Sequence, residues 1–102
     1  MQNNGDPTYL ALLEQMKQLH IAKNAGYSGE NTDRWANFRM AKGFGVTALV
    51  GCLVRMSDKY VRIQNLLAKP ENDQVGERIT DTLMDLASYA LIAICLYREE
   101  RK

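Results

Sequence analysis

Apolar residues in this chain recur every three or four positions, and no segment alternates apolar with polar residues over the length of a strand. This periodicity constrains the fold more than any other feature, because a pattern with a helical period cannot give a β-strand one apolar face. The punctuation agrees. Only two prolines occur, Pro7 and Pro70, and both sit where a helix would begin or has just ended. The expected class is therefore all-α: a small bundle of three long helices and one short helix, read as a single domain over residues 1–102. Residues 1–6 read as a flexible N-terminus and 99–102 as a solvated tail.

Asp6 reads as an N-cap followed by proline at the first helical position, which starts a helix running to about Asn24. Its apolar stripe is Leu12, Leu13, Met16, Leu19 and His20, and Gly26 supplies the stop. The stretch AGYSGENTD reads as loop. Asp33 then caps a short helix, RWANFRMAK, ended by Gly43 and Gly45. Thr47 caps a long helix of about Ala48 to Ala68. KPENDQ breaks the chain, and the last helix runs from about Val75 to Arg98.

On the long helix Leu49, Leu53, Met56, Tyr60, Ile63 and Leu67 gather on one side, the expected core. Arg55, Asp58, Arg62 and Asn65 gather on the other, with Lys59 at the margin. An ordinary solvated face with an Asp58–Arg62 ion pair would account for them. On the last helix Ile79, Leu83, Leu86, Ala90, Ala93 and Tyr97 form the expected core side, opposite Glu77, Asp81, Asp85 and Ser88. Beyond Asp81 a wet surface no longer explains the acidic stripe, since Asp85 stands in a helix that is apolar nearly all round. A buried carboxylate needs a proton, a metal or a cationic partner, and Arg55, Lys59 and Arg62 of the neighbouring helix are candidates. Asp81 and Asp85, one turn apart, could also share a hard cation.

The stretch HIAKNAGYSGENTDRWANFR is rich in side chains suited to nucleotides. Tyr27 and Trp35 offer flat faces for stacking, Asn24 and Asn37 paired donors and acceptors, and Lys23, Arg34 and Arg39 cations for phosphate. Trp35 and Phe38 serve equally well as core anchors of the short helix. No Walker-type phosphate loop, Ser-His-Asp set or dinucleotide fingerprint occurs, and one histidine with two cysteines in apolar runs makes no zinc site. The net charge of +1 argues against bulk capture of a nucleic-acid polymer or an anionic membrane. The longest apolar run, Leu86 to Tyr97, is shorter than the ~20 residues a bilayer requires. With no signal-like segment at the N-terminus, the expected location is the cytoplasm.

KNAGYSG, WANFR, LVRMSDKYVRI and DTLMDLASYALIAICL, in that order, resemble a phage and prophage family, nucleotide-modification-associated domain 1, a distant relative of the MazG-like all-α nucleotide pyrophosphohydrolases. The resemblance covers roughly residues 20 to 98 and is most specific at SDKYVRI and DTLMDLASYA. It implies a homo-oligomer, dimer or tetramer, that handles nucleotides. It also implies Mg²⁺, or Mn²⁺, held by carboxylates from two helices, so that an activated water splits a (deoxy)nucleoside triphosphate into monophosphate and pyrophosphate. Carried onto this chain, Asp58, Asp81 and Asp85 are the metal ligands, and Glu77 and Asp85 the catalytic carboxylates. Arg55, Lys59 and Arg62 meet phosphates, while Lys23, Asn24, Tyr27, Trp35, Asn37 and Arg39 complete the substrate side. The sequence departs from the superfamily at the earlier helix, where two glutamates are usual and RMSDKYVRI has one aspartate among cations. A non-catalytic module that sequesters or delivers a nucleotide or cyclic nucleotide is the alternative.

Overall fold

The computed structural model describes residues 4–25, 33–73 and 77–102. They are all-α, with no strand among them. Two compact units divide the chain, Met1–Arg34 and Trp35–Lys102.

The first unit is built on α1 (Pro7–Lys23). Asp6 caps it as its position suggests: its carboxylate accepts from the Tyr9 amide at 2.9 Å, and Pro7 occupies the first turn. The expected apolar stripe is not a packed one. Leu12, Leu13 and Leu19 are exposed and Met16 and His20 half-buried, and no residue of the helix is buried. Asn24 closes the helix, its side-chain amide donating to the His20 carbonyl at 2.8 Å. Gly26, the expected stop, lies outside the described residues.

The second unit holds the core. Its short helix is tighter and more broken than expected: α2 (Ala36–Arg39) passes directly into a 3₁₀ helix, η1 (Met40–Phe44). Trp35, not Asp33, is at its N-terminus. Gly45 ends it in the left-handed region at φ 85°, a conformation that glycine adopts without steric cost. Thr47 then starts α3 (Ala48–Ala68), its hydroxyl accepting from the Val50 amide at 3.2 Å. A second 3₁₀ turn, η2 (Pro70–Asn72), leads toward α4 (Glu77–Glu100). Asp73 satisfies the first turn of α4, its two oxygens accepting from the Arg78 and Ile79 amides at 3.1 and 3.2 Å.

α3 and α4 pack as an antiparallel hairpin, only partly along the expected lines: Ile63 is buried and Leu49, Met56, Ile79, Leu86, Ala90 and Ala93 half-buried, as expected, but the rest of each line is not. The α3 residues turned inward are Ala48, Cys52, Ile63 and Leu66, with Lys59 half-buried among them, whereas Leu53, Tyr60 and Leu67 are exposed. On α4 the packed line is Thr82, Asp85, Leu86, Tyr89, Ala93 and Leu96, while Leu83 and Tyr97 are exposed. Both helices have thus rotated toward their charged stripes. Small side chains explain part of this. Ala48 and Cys52 let α4 approach closely, so that the Cys52 thiol donates to the Tyr89 carbonyl at 3.3 Å and Leu96 is fully enclosed beside it. A close contact at Gly51 explains more: a Cβ there would stand 2.8 Å from the Ala41 Cβ, so η1 rests directly on the α3 backbone. Trp35 and Phe38 pack on this core.

The expected solvated tail is exposed throughout, and two of its residues also reach back to the second unit's other helices. Arg39 pairs with Glu99 at 3.0 Å, and Glu100 accepts from the Leu49 amide at 3.3 Å, adding a second acceptor to the α3 N-terminus. α4 itself, counted from Arg78 to Glu100, is long and apolar enough to cross a membrane, although its longest uninterrupted apolar run is not. The whole helix passes the test of length and composition although it contains Asp85.

Candidate functional site

The rotation of the hairpin creates one polar flank and one apolar flank. Relative to the packed line of α3, Arg55, Asp58, Arg62 and Asn65 lie to one side and Leu53, Tyr60 and Leu67 to the other, with Val50, Val54 and Val61 on the back of the helix. On α4, Asp81 and Ser88 lie to one side of the packed line, and Leu83, Ile94 and Tyr97 to the other. Because the two right-handed helices run antiparallel, like flanks share a side of the hairpin.

On the polar side a cleft of about 550 Å³ opens beside α3, within the size range of small-molecule sites. Arg55, Asp58, Lys59, Val61, Arg62, Asn65 and Leu66 line it from α3, Asn72 from η2 and Arg78 from α4. Arg55 to Arg62 spans seven residues, roughly 10 Å along the helix axis. Four cations therefore face one space, with one carboxylate, Asp58, among them.

Each cation is held differently. The Arg55 guanidinium lies over the Phe38 ring, 6.0 Å from its centroid, so the aromatic cluster of Trp35, Phe38 and Tyr89 braces one end of the cleft. Arg78 donates one N–H to the Asn72 carbonyl at 3.2 Å, which ties the start of α4 to η2. The Lys59 ammonium stands 3.1 Å from an Asp85 oxygen, in a pair partly open to solvent. Asp58 and Arg62 do not form the ion pair their spacing permits, so both remain available to the cleft. An arginine has five donors in a planar fork that matches two phosphate oxygens at once, and the asparagine amides add neutral donors and acceptors. What this arrangement can do is hold an anion with several oxygens.

The residues expected to serve the site separate under this geometry. Arg55, Asp58, Lys59 and Arg62 come together. Asp85 reaches the cleft only through Lys59. Asp81 is exposed on α4 and does not line the cleft. Among the described residues no three His, Cys, Asp or Glu side chains stand close enough to share a metal ion. Of the three carboxylates the resemblance implies as metal ligands, Asp58 lines the cleft, Asp85 is held by the Lys59 ammonium at 3.1 Å, and Asp81 stands apart. The side chain of Glu77 lies outside the described residues. On the expected base side, Trp35 is half-buried against the core, Asn37 is exposed on α2, and Arg39 is paired with Glu99. None of the three lines the cleft. Lys23 and Asn24 belong to the first unit, where Asn24 caps α1, and Tyr27 lies outside the described residues.

Arg78 and Asn72 were not evident from the sequence. Arg78 stands in GERITD, where it passes for an ordinary helix-start cation, and only the hairpin brings it opposite Arg62. Burial pushes the Cys52 thiol above its ordinary range, with the nearby Arg55 charge pulling partly the other way. Cys52 thus behaves as an inert core thiol.

No protein-family model matches this chain, and neither a curated protein nor a solved structure is found to be similar to it.

Proposed function

We propose that the protein binds the phosphates of a nucleotide in the cleft between α3 and the start of α4. The observation that carries this reading is the convergence of Arg55, Lys59, Arg62 and Arg78 on one concave space with a single carboxylate. Charge-assisted bonds from guanidinium forks are the strongest interactions such a cleft offers, and linked phosphates present oxygens at the spacing of the row. The resemblance to the MazG-like superfamily supports the same ligand class. A cytosolic nucleotide pool is the matching source.

Hydrolysis to monophosphate and pyrophosphate is a second reading, favoured by the place of Asp58 within the cationic row. A carboxylate there adds nothing to phosphate affinity, but it suits contact with a Mg²⁺ that arrives on the nucleotide. The exposed apolar flank supports a further part of the proposal, association with a second copy. Leu53, Tyr60 and Leu67 repeat at seven-residue spacing, the pattern of a helix seam that requires a facing helix.

Isothermal titration with each deoxynucleoside triphosphate, with and without Mg²⁺, tests the core of the proposal. Binding that falls at least tenfold in Arg62→Ala or Arg78→Ala supports it. Wild-type affinity in both variants defeats it. Pyrophosphate release lost in Asp58→Asn selects the hydrolytic reading, and binding without turnover selects the module. Light scattering after size exclusion, with and without Tyr60→Glu, reads the association. Recovery of the protein only with membranes would instead assign the apolar flank to lipid.

A further inference from the structure

We propose that Asp85 is an internal competitor for the phosphate site rather than one of its ligands. This inference rests on the reading of the cleft as a phosphate site and concerns what sets its affinity. Three of the four cations facing the cleft are in no ion pair among the described residues. Arg55 lies on a neutral ring, Arg78 donates to a neutral carbonyl, and Arg62 has no ion-pair partner among the described residues. Lys59 alone is countered, by Asp85 at 3.1 Å. That carboxylate belongs to the packed line of α4 and does not line the cleft, so it acts on the site only through the ammonium it holds.

The pair is built to exchange. Its side chains are 29% and 38% exposed, so neither charge is sealed from water, and the bond is worth little more than a surface ion pair. Lysine carries a compact charge on a flexible stem with three donors, and it can turn toward a second anion without losing the first contact at every moment. A phosphate entering the cleft therefore competes with Asp85 for Lys59, whereas it meets three arginines that no carboxylate holds in an ion pair, Asp58 standing among them without one. Lys59 should then contribute less to binding than its position suggests, and removal of the Asp85 charge should release it.

The probe is inorganic tripolyphosphate, titrated calorimetrically into the full chain at low salt. Asp85→Asn should bind about two- to fivefold more tightly than wild type, the range set by an exposed ion pair. Asp85→Ala should follow it in direction, which guards against an asparagine that keeps a hydrogen bond to Lys59. Lys59→Met should weaken binding less than Arg62→Met does, and in the Lys59→Met background Asp85→Asn should lose most of its effect. Far-UV circular dichroism confirms that each variant is folded. Equal or weaker binding by both Asp85 variants overturns the proposal, as does a Lys59→Met loss as large as that of Arg62→Met. Failure of the wild-type chain to bind tripolyphosphate defeats the phosphate-site reading itself, and the competitor with it.

Discussion

Replacing Gly51 by alanine should destabilise the protein, although the same change in an open helix would stabilise it. Alanine is favoured over glycine in a helix interior by about 1 kcal/mol. Here the new methyl would stand 2.8 Å from the Ala41 Cβ and 3.4 Å from the Phe38 carbonyl oxygen. Neither neighbour is the far end of a flexible side chain, so η1 must move away from α3. Overpacking of this kind costs about 1–3 kcal/mol. Set against the propensity gain, the net is a loss of about 1 kcal/mol, or roughly 4–8 °C in Tm for a domain this small. Trp35, the single tryptophan, is packed on the same core, and its fluorescence through a urea titration reports this unit directly. Ala41→Gly in the Gly51→Ala background should recover stability, whereas alone it should lose about 0.5–1 kcal/mol. A Gly51→Ala variant more stable than wild type by the full helix-propensity difference would refute the close contact and the account of why the hairpin is rotated.

Four other outcomes follow from the same packing. Asp73→Ala removes the acceptor for two first-turn amides of α4 and should cost about 1 kcal/mol by chemical denaturation, with Asp73→Asn recovering part of it. Leu96→Ala removes the largest fully buried side chain of the core and should cost about 2–5 kcal/mol, read as a lowered midpoint in a thermal scan. Cys95, exposed, should react with a small alkylating agent in the native state, while Cys52 reacts only on unfolding. Because the folded Cys52 thiol is held above its unfolded value, its contribution to stability is intact below about pH 8.5 and should fall as pH rises further, a loss that Cys52→Ala would remove.

The helices were legible in the sequence because their ends carry local chemistry. Asp6 with Pro7 and Thr47 act within three residues of themselves, and both caps form where the sequence places them. Faces were less legible. A periodic stripe says which residues lie together, not which stripe is covered, and α3 carries two apolar arcs that flank one charged arc. Leu53, Tyr60 and Leu67 are the larger side chains, yet Ala48 and Cys52 are packed, because small residues allow the backbones to approach and large ones would hold them apart. Trp35 shows the same ambiguity from the other side. An aromatic beside cations suits a nucleotide base and a core equally well, and only the tilted contact with Phe38, ring centroids 6.5 Å apart, shows the core taking it. Arg78 depends on a pairing of residues on two helices, and no local pattern encodes that.

The rotation that hides Ala48 and Cys52 also decides what the rest of the hairpin presents. Turning α3 toward its charged arc places Lys59 on the packed line, and turning α4 the same way places Asp85 opposite it, so each ion sits beside the other rather than alone in an apolar contact. The carboxylate in an otherwise apolar helix thereby has a cationic partner. The same turn brings Arg62 and Arg78 onto one cleft and leaves Leu53, Tyr60, Leu83 and Tyr97 uncovered on the far side. Site and apolar flank are therefore two consequences of one packing choice. A substitution that forced the expected register, with the leucine stripe inward, would have to bury those side chains and dissolve the cleft together.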